Sequence, residues 1–430
     1  MTGRIVPCPK FGKGVGLRRT AALCARLGIE PTTWAGRACV ITGSNGKGST
    51  AAMTQAIVSA HGARTALFTS PHLHRFSERY RLDGDDIAED ALDRYWNRVG
   101  AAVDRHLAET PGDEVGGFEF IFLIALCWLE ETRPDLLVFE AGIGGRFDPT
   151  RLLSARITAL VSLDLEHTQL LGADLASIAR DKIDACAPGG EILVGPVPIE
   201  LEPGILEHAA LADRRATFLR RGEDWTVGEK DGPSRILTRA GWMKAPIPLA
   251  GPVQAGNAAL ACGVAERLLG PRFDPATAGS GLAGTRWPGR LEVIRENPLT
   301  VIDVGHSPAA VVAALEGLAA WGEDRFGVLI CGASANKENA TMIGLLARRF
   351  DRIVCTAAAH NGCAPIEISE MARAANPAAR VLVAETPAEA WSMAQALVRP
   401  GAGVYVAGGL FLAIEVRSAI RGEPLADPFF

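Results

Sequence analysis

The stretch Thr42-Gly43-Ser44-Asn45-Gly46-Lys47-Gly48-Ser49-Thr50 (TGSNGKGST) follows the apolar run Ala38-Cys39-Val40-Ile41 and opens a helix-forming segment, Thr50 to Ile57. A glycine-rich turn between a strand and a helix is built to hold phosphate. Its glycines let backbone N–H groups converge on phosphate oxygens, and the helix N-terminus adds positive potential. Lys47 can reach the terminal phosphates, and the Ser49 hydroxyl can ligate Mg²⁺. The residues assigned to ATP are therefore Gly43, Ser44, Asn45, Gly46, Lys47, Gly48, Ser49 and Thr50. From its first glycine to the Gly46-Lys47 pair, however, the loop is two residues shorter than the common phosphate-binding pattern.

Outward from this loop, short Val/Ile/Leu runs (RACVIT, RTALFT, DLLVFEAG, ITALVSLD, EILVG) alternate with helical stretches. That alternation predicts an α/β domain with a mostly parallel sheet covered on both faces by helices. Phe118 to Leu129 (FEFIFLIALCWL) is too short to span a bilayer and reads as a buried helix. Residues 214 to 249 differ in texture and predict a small antiparallel excursion. After GLAGTRWPG at 281 to 289 a second α/β series follows: LEVI, TVIDVG, FGVLICGAS, RIVCTAA, VLVAE and GVYVAGG. The expected organisation is a P-loop ATPase domain over 1–288 and a smaller Rossmann-like α/β domain over 289–430.

The chain has 430 residues, 48% hydrophobic and 22% charged, enough for more than one core. A net charge of -5 gives no overall attraction to nucleic acid or to an anionic membrane, so neither is expected as a partner. The nine cysteines are scattered singly without zinc-type spacing, which suits reduced thiols in the cytoplasm. The N-terminal residues carry charge but no apolar signal core. Nothing suggests a subunit interface, and a monomer is expected.

Further motifs lie in a fixed order beyond the loop. They are Phe11-Gly12-Lys13-Gly14-Val15-Gly16-Leu17, Thr69-Ser70-Pro71-His72-Leu73, Glu140 to Asp148 (EAGIGGRFD), Glu166-His167-Thr168, Ile178 to Lys182 (IARDK), Gln254 to Asn257, Gly289-Arg290-Leu291-Glu292, and Asp303 to Pro308 (DVGHSP). Together with the shortened loop, this series resembles the Mur ligase superfamily, and within it the folylpolyglutamate synthase and dihydrofolate synthase family. The resemblance implies Mg²⁺ held by Ser49, Ser70, Glu140 and His167. It implies ATP contacts from Asn257, Arg290 and Asp303, with Gln254 beside them, and catalytic roles for Lys47, Lys182 and His306. Lys182 is implied to be carbamylated. Asp303 and His306 are implied to reach the nucleotide across an interdomain cleft.

On the residues alone, Ser70 also reads as a turn-capping serine, Glu140 as a solvent-facing strand-end acid, and His167 as a structural histidine at the end of a strand. Lys182 reads as a solvated-face lysine, Gln254 and Asn257 as a helix-surface amide pair, and Arg290 as a linker arginine. A phosphate loop with magnesium ligands suits activation of a carboxylate by ATP followed by attack of an amine. The resemblance implies dihydropteroate or a reduced folate as the acid and L-glutamate as the amine. The chain departs from the family pattern at DPTR (148–151), where D-A-T-N is common, at DVGHSP, and at VAGGLFL (406–412). Arg151 puts a charge where an amide is expected. These departures keep open a related ligase for another acid or amino acid, and, in a different class, an inactive nucleotide-binding paralogue.

Overall fold

The computed structural model describes residues 5–228, 233–322, 324–335 and 338–427. The chain divides into two compact units, one comprising the residues up to Pro248 with Gln254–Arg286, the other Leu249–Val253 with Trp287–Asp427.

In the first unit, strands β1 (Ala38–Thr42), β2 (Thr65–Phe68), β3 (Tyr80–Leu82), β4 (Asp85–Asp86), β5 (Leu136–Glu140), β6 (Ile157–Leu160), β7 (Glu191–Val194) and β8 (Arg215–Phe218) form one sheet in the order β4-β3-β2-β5-β1-β6-β7-β8. Pairings from β2 through β8 are parallel, and β3 and β4 add an antiparallel edge. The central strands are apolar throughout because helices cover both faces, and β1, β2 and β5 are buried along their whole lengths. The helix Gly117–Thr132, whose middle is FEFIFLIALCWL, is buried on nearly every side and packs Phe122 against Phe68 and Phe139. From β5, on one side of β1, the chain passes to β6 on the other. The crevice of this open sheet therefore lies beyond the carboxyl end of β1, where TGSNGKGST begins.

The structure corrects several local expectations. Between β5 and β6 there is no α-helix: a glycine-rich loop and a short 3-10 turn, Pro149–Leu153, make the crossover. β6 stops at Leu160, so Val161 to Glu166 are loop and His167 is not at a strand end. The reason is local: Ser162 and Asp164 turn their polar groups onto the phosphate loop instead of a neighbouring strand. β8 belongs to the parallel sheet, and the antiparallel excursion is confined to β9 (Trp225–Thr226), β10 (Ser234–Thr238) and β11 (Gly241–Ala245). Residues 229–232 of that segment lie outside the described residues.

In the second unit β12 (Glu292–Glu296), β13 (Leu299–Ile302), β14 (Phe326–Cys331), β15 (Arg352–Cys355), β16 (Arg380–Val383) and β17 (Gly403–Ala407) form a sheet in the order β12-β13-β17-β14-β15-β16. All pairings are parallel except β12 with β13. Among the described residues no helix is long and apolar enough to cross a membrane.

Candidate active site

Gly46 is the N-cap of the helix Lys47–Ala60 and has φ of 84°, in the left-handed region that glycine adopts without strain. A Cβ there would come within 2.9 Å of Asn257 Oδ1 and of Val161 Cγ1, so the loop and the helix Val253–Leu269 close on each other only because position 46 has no side chain. The loop is clamped from the segment after β6: Ser44 N donates to Ser162 O (3.0 Å), Asn45 N to Ser162 Oγ (2.9 Å), and Asp164 N to Ser44 Oγ (3.0 Å). No side chain caps the Lys47 helix. Its first amides are thus left for an acceptor from outside the helix.

Lys47 Nζ folds back to donate to Gly43 O (2.8 Å) and Ser44 O (3.2 Å), both neutral acceptors. The hydroxyls of Ser49 and Thr50, in the first turn of the helix, are buried and have no hydrogen-bond partner among the described residues. An orphaned buried hydroxyl is costly in a finished protein, and a cation or phosphate supplies what it lacks. Ser70 follows β2, and its N–H donates to Glu140 Oε2 (3.1 Å) at the buried end of β5, so these two sequence-assigned residues do meet. Among the described residues no three His, Cys, Asp or Glu side chains cluster as a protein-only metal cage. Of the four residues assigned to Mg²⁺ the structure brings Ser70 and Glu140 together, and hydroxyl and carboxylate oxygens suit an ion that keeps water and phosphate oxygens as ligands, as Mg²⁺ does. His167 is exposed, with φ of 48°, and caps the short helix Thr168–Leu171.

Lys182 is not on a solvated face. It is 1% exposed, and its Nζ donates to Glu166 Oε1 at 3.0 Å. Burial and the repulsion of Lys47 push its pKa below the usual lysine value, against the opposing pull of Glu166. Burial alone would raise the Glu166 carboxyl, but Lys182 and Lys47 hold it low. The helix Leu175–Ile183 brings this lysine inward through the loop after β5, since Gly145 N donates to Asp181 Oδ1 (2.9 Å) and Gly144 O accepts from Thr42 Oγ1 (2.9 Å). Asp148 holds the same loop, accepting from Gly142 N, Ile143 N, Thr150 N and Thr150 Oγ1. Burial nevertheless raises its pKa to about 6.

Gln254 and Asn257 are buried, not a surface pair, and Asn257 Nδ2 donates to Gln254 Oε1 (3.0 Å). In the second unit Asp303 follows β13 and grips the turn that carries Arg290, accepting from Leu291 N (3.1 Å) and Gly305 N (2.7 Å). Burial raises the pKa of Asp303, and Arg290 opposes that shift. His306 Nδ1 lies 3.5 Å from Val304 O.

The residues with no role assigned from sequence are Ser162, Glu166, Asp148 and Thr50's neighbour in burial, Thr54, whose hydroxyl goes to Thr50 O. Ser162 left a signal as a polar residue inside the apolar run ALVSL, and Glu166 and Asp148 stood in the motifs EHT and EAGIGGRFD without a role of their own.

Residues 289–410 match the family described as Mur ligase, glutamate ligase domain. A dihydrofolate synthase/folylpolyglutamate synthase of Mycobacterium tuberculosis is 31% identical over 448 residues, covering 95% of this chain and 90% of the relative. A probable bifunctional folylpolyglutamate synthase/dihydropteroate synthase of Halobacterium salinarum is 31% identical over 78% of this chain, which spans only 41% of that relative. Among solved structures, the folylpolyglutamate synthase of Mycobacterium tuberculosis complexed with ADP and AMPPCP superposes with a TM-score of 0.86 at 26% identity, covering 95% of this chain and 96% of the other. A bifunctional folylpolyglutamate synthase/dihydrofolate synthase of Yersinia pestis complexed with AMPPNP and Mn ion gives a TM-score of 0.81 at 25% identity, covering 95% and 94%.

Proposed function

Since the chain belongs to the folylpolyglutamate synthase and dihydrofolate synthase family, we propose that it is an ATP-dependent amide ligase that joins L-glutamate to the carboxylate of a dihydropteroate or reduced folate. The observation that carries this reading is the phosphate loop itself: an uncapped helix N-terminus, Lys47 folded back on the loop carbonyls, and a buried Ser49 hydroxyl with no partner among the described residues. The nucleotides and Mn ion in the solved relatives support it.

In the proposed reaction the γ-phosphoryl of ATP moves to the acid, giving an acyl phosphate and ADP. The glutamate amine attacks the acyl carbon, and inorganic phosphate leaves the tetrahedral intermediate. The loop amides and Lys47 bind the phosphates and offset the repulsion between two approaching anions. Ser49, Ser70, Glu140 and His167 would hold Mg²⁺, which supplies further neutralisation of charge on the transferring group. Asn257 is assigned to ATP with Gln254 orienting it, and Arg290 and Asp303 are assigned to the nucleotide as well. Lys182 and His306 complete the catalytic set. Burial and Lys47 favour a neutral Lys182 amine, the form that adds CO₂ to become a carbamate, and this supports its assignment as a carbamylated residue. The domain assignment, 1–288 for ATP and 289–430 for the Rossmann-like domain, belongs to the same reading.

The test is an ADP-release screen in which pteroate, dihydropteroate, folate and unrelated acids are crossed with glutamate and other amino acids. The reading expects ADP release that needs a pterin acid and glutamate together. Release at the same rate with neither present would exclude a ligase.

A further inference from the structure

The segment after β6, Val161-Ser162-Leu163-Asp164, lies directly against the phosphate loop. Gly43 has φ of 140°, and a Cβ there would come within 3.0 Å of Ser162 N and 3.1 Å of Val161 N, so the two segments meet only because position 43 has no side chain. Val161 N donates to Thr42 O (2.9 Å) and Ser44 N to Ser162 O (3.0 Å), which carries the β1–β6 pairing past the ends of both strands. At Asn45 the side chain of Ser162 takes over. Its Oγ accepts from Asn45 N (2.9 Å) and donates to Asn45 O (3.0 Å), so one hydroxyl holds both main-chain groups of one loop residue.

These bonds divide the amides of the loop into two groups. Those of Ser44 and Asn45 are consumed by Ser162, through its carbonyl and its hydroxyl, and are not offered to an anion. The amide of Gly46 is aimed instead: the peptide from Asn45 to Gly46 is trans and planar, so a carbonyl anchored on Ser162 turns the Gly46 N–H to the opposite side. Thr50 N is engaged with Gly46 O (3.0 Å), which leaves the amides of Gly46, Lys47, Gly48 and Ser49 at the open end of the helix, beside the buried Ser49 hydroxyl. We propose that Ser162 is a positioning residue for the polyphosphate of the nucleotide: it takes up the Ser44 and Asn45 amides and aims that of Gly46, so that the phosphates beyond the first are received by the amides of Gly46 to Ser49. Ser44 and Asn45 then serve ATP by fixing the loop. The role needs a hydroxyl, which accepts and donates at a single atom. This deepens the proposed ligase reading and rests on its assignment of the loop to ATP.

The test measures binding of ADP and AMP, with neither acid nor amine present, to the full-length wild type and to Ser162→Ala, Ser162→Cys and Ser162→Thr. AMP lacks the phosphate that the aimed amides would hold and serves as the internal control. Ser162→Ala should weaken ADP by about tenfold and AMP by less than about twofold, so the preference for ADP over AMP collapses by nearly the same factor. Ser162→Cys, close in size but a weak hydrogen-bonding group, should behave like the alanine variant, and Ser162→Thr, which keeps the hydroxyl, should retain most of the ADP affinity. Equal weakening of ADP and AMP, or a lower melting temperature with ADP affinity intact, would make Ser162 a structural residue and overturn the inference. A wild type that binds ADP no better than AMP would overturn it together with the assignment of the loop to ATP. A wild type that binds ADP as expected but makes no amide in the screen above would remove the ligase reading and leave the role of Ser162 standing.

Discussion

Two strand ends, one in each unit, use the same kinds of residue to opposite purposes. β1 opens into TGSNGKGST, and the helix that follows has glycine as its N-cap, with no side chain satisfying its first amides. β13 opens into DVGHSP, where Ser307 caps the helix Pro308–Leu318 by accepting from Ala310 N, and where Asp303 is spent on Leu291 N and Gly305 N. The first loop anchors itself through Ser44 and Asn45 but leaves the first amides of its helix without a side-chain cap and the Ser49 hydroxyl without a partner among the described residues. The second consumes its own polar groups to fix the turn that carries Arg290 and the backbone that carries His306. The first is held ready to receive a ligand, while in the second the residues assigned to nucleotide and catalysis also fix the turn, so substitutions there should cost stability as well as activity.

The largest effect is expected at Lys47. Lys47→Ala removes a cation whose hydrogen bonds among the described residues go to two loop carbonyls, so kcat/KM for amide formation should fall by about 100-fold or more while the melting temperature holds. Ser49→Ala sharpens the contrast. It deletes a buried hydroxyl that has no partner among the described residues, so activity should drop by about 100-fold with stability unchanged or slightly raised. A matching loss of stability would mean that Ser49 is structural. Asp303→Ala is the converse case, expected to cost about 2 kcal/mol by stripping two backbone amides of their acceptor, as measured by denaturant unfolding of the full chain. Ser307→Ala should cost about 1 kcal/mol as the loss of a helix cap.

A pH effect is expected away from the site. Glu191 joins β7 to Arg215 on β8 and to Arg267 on the helix Val253–Leu269. Burial would raise its pKa, but the two arginines outweigh that and lower it to about 2. Because the folded value lies below the unfolded one, the stabilisation is present above the ordinary glutamate range and is lost as pH falls toward 2. Glu191→Gln should flatten that part of the stability curve; a curve as steep as wild type would assign the acid sensitivity to other carboxylates.

The residues that were legible in the sequence were those whose role is local. A strand, a glycine-rich turn and a helix are adjacent in the chain, so TGSNGKGST announced its site, and the alternation around it announced both parallel sheets. Lys182 was not legible from its own surroundings, because its burial comes from Glu166 and from the loop after β5, which only the fold brings to it. The missing helix between β5 and β6 was hidden for a similar reason: Asp148 replaces helical hydrogen bonds with four contacts inside one loop, and no periodicity records that. His167 was misplaced at a strand end because the run ALVSLDL alternates well enough to pass for strand. The structure instead spends Ser162 and Asp164 on clamping the phosphate loop.

The account turns on the loop of β1 activating a carboxylate, and oxygen transfer reports that step directly. If the acid is supplied with ¹⁸O in its carboxylate, together with ATP and glutamate, its transfer through an acyl phosphate predicts that the released inorganic phosphate carries one ¹⁸O for each amide formed. Phosphate that draws its new oxygen only from water, with amide still accumulating, would contradict it.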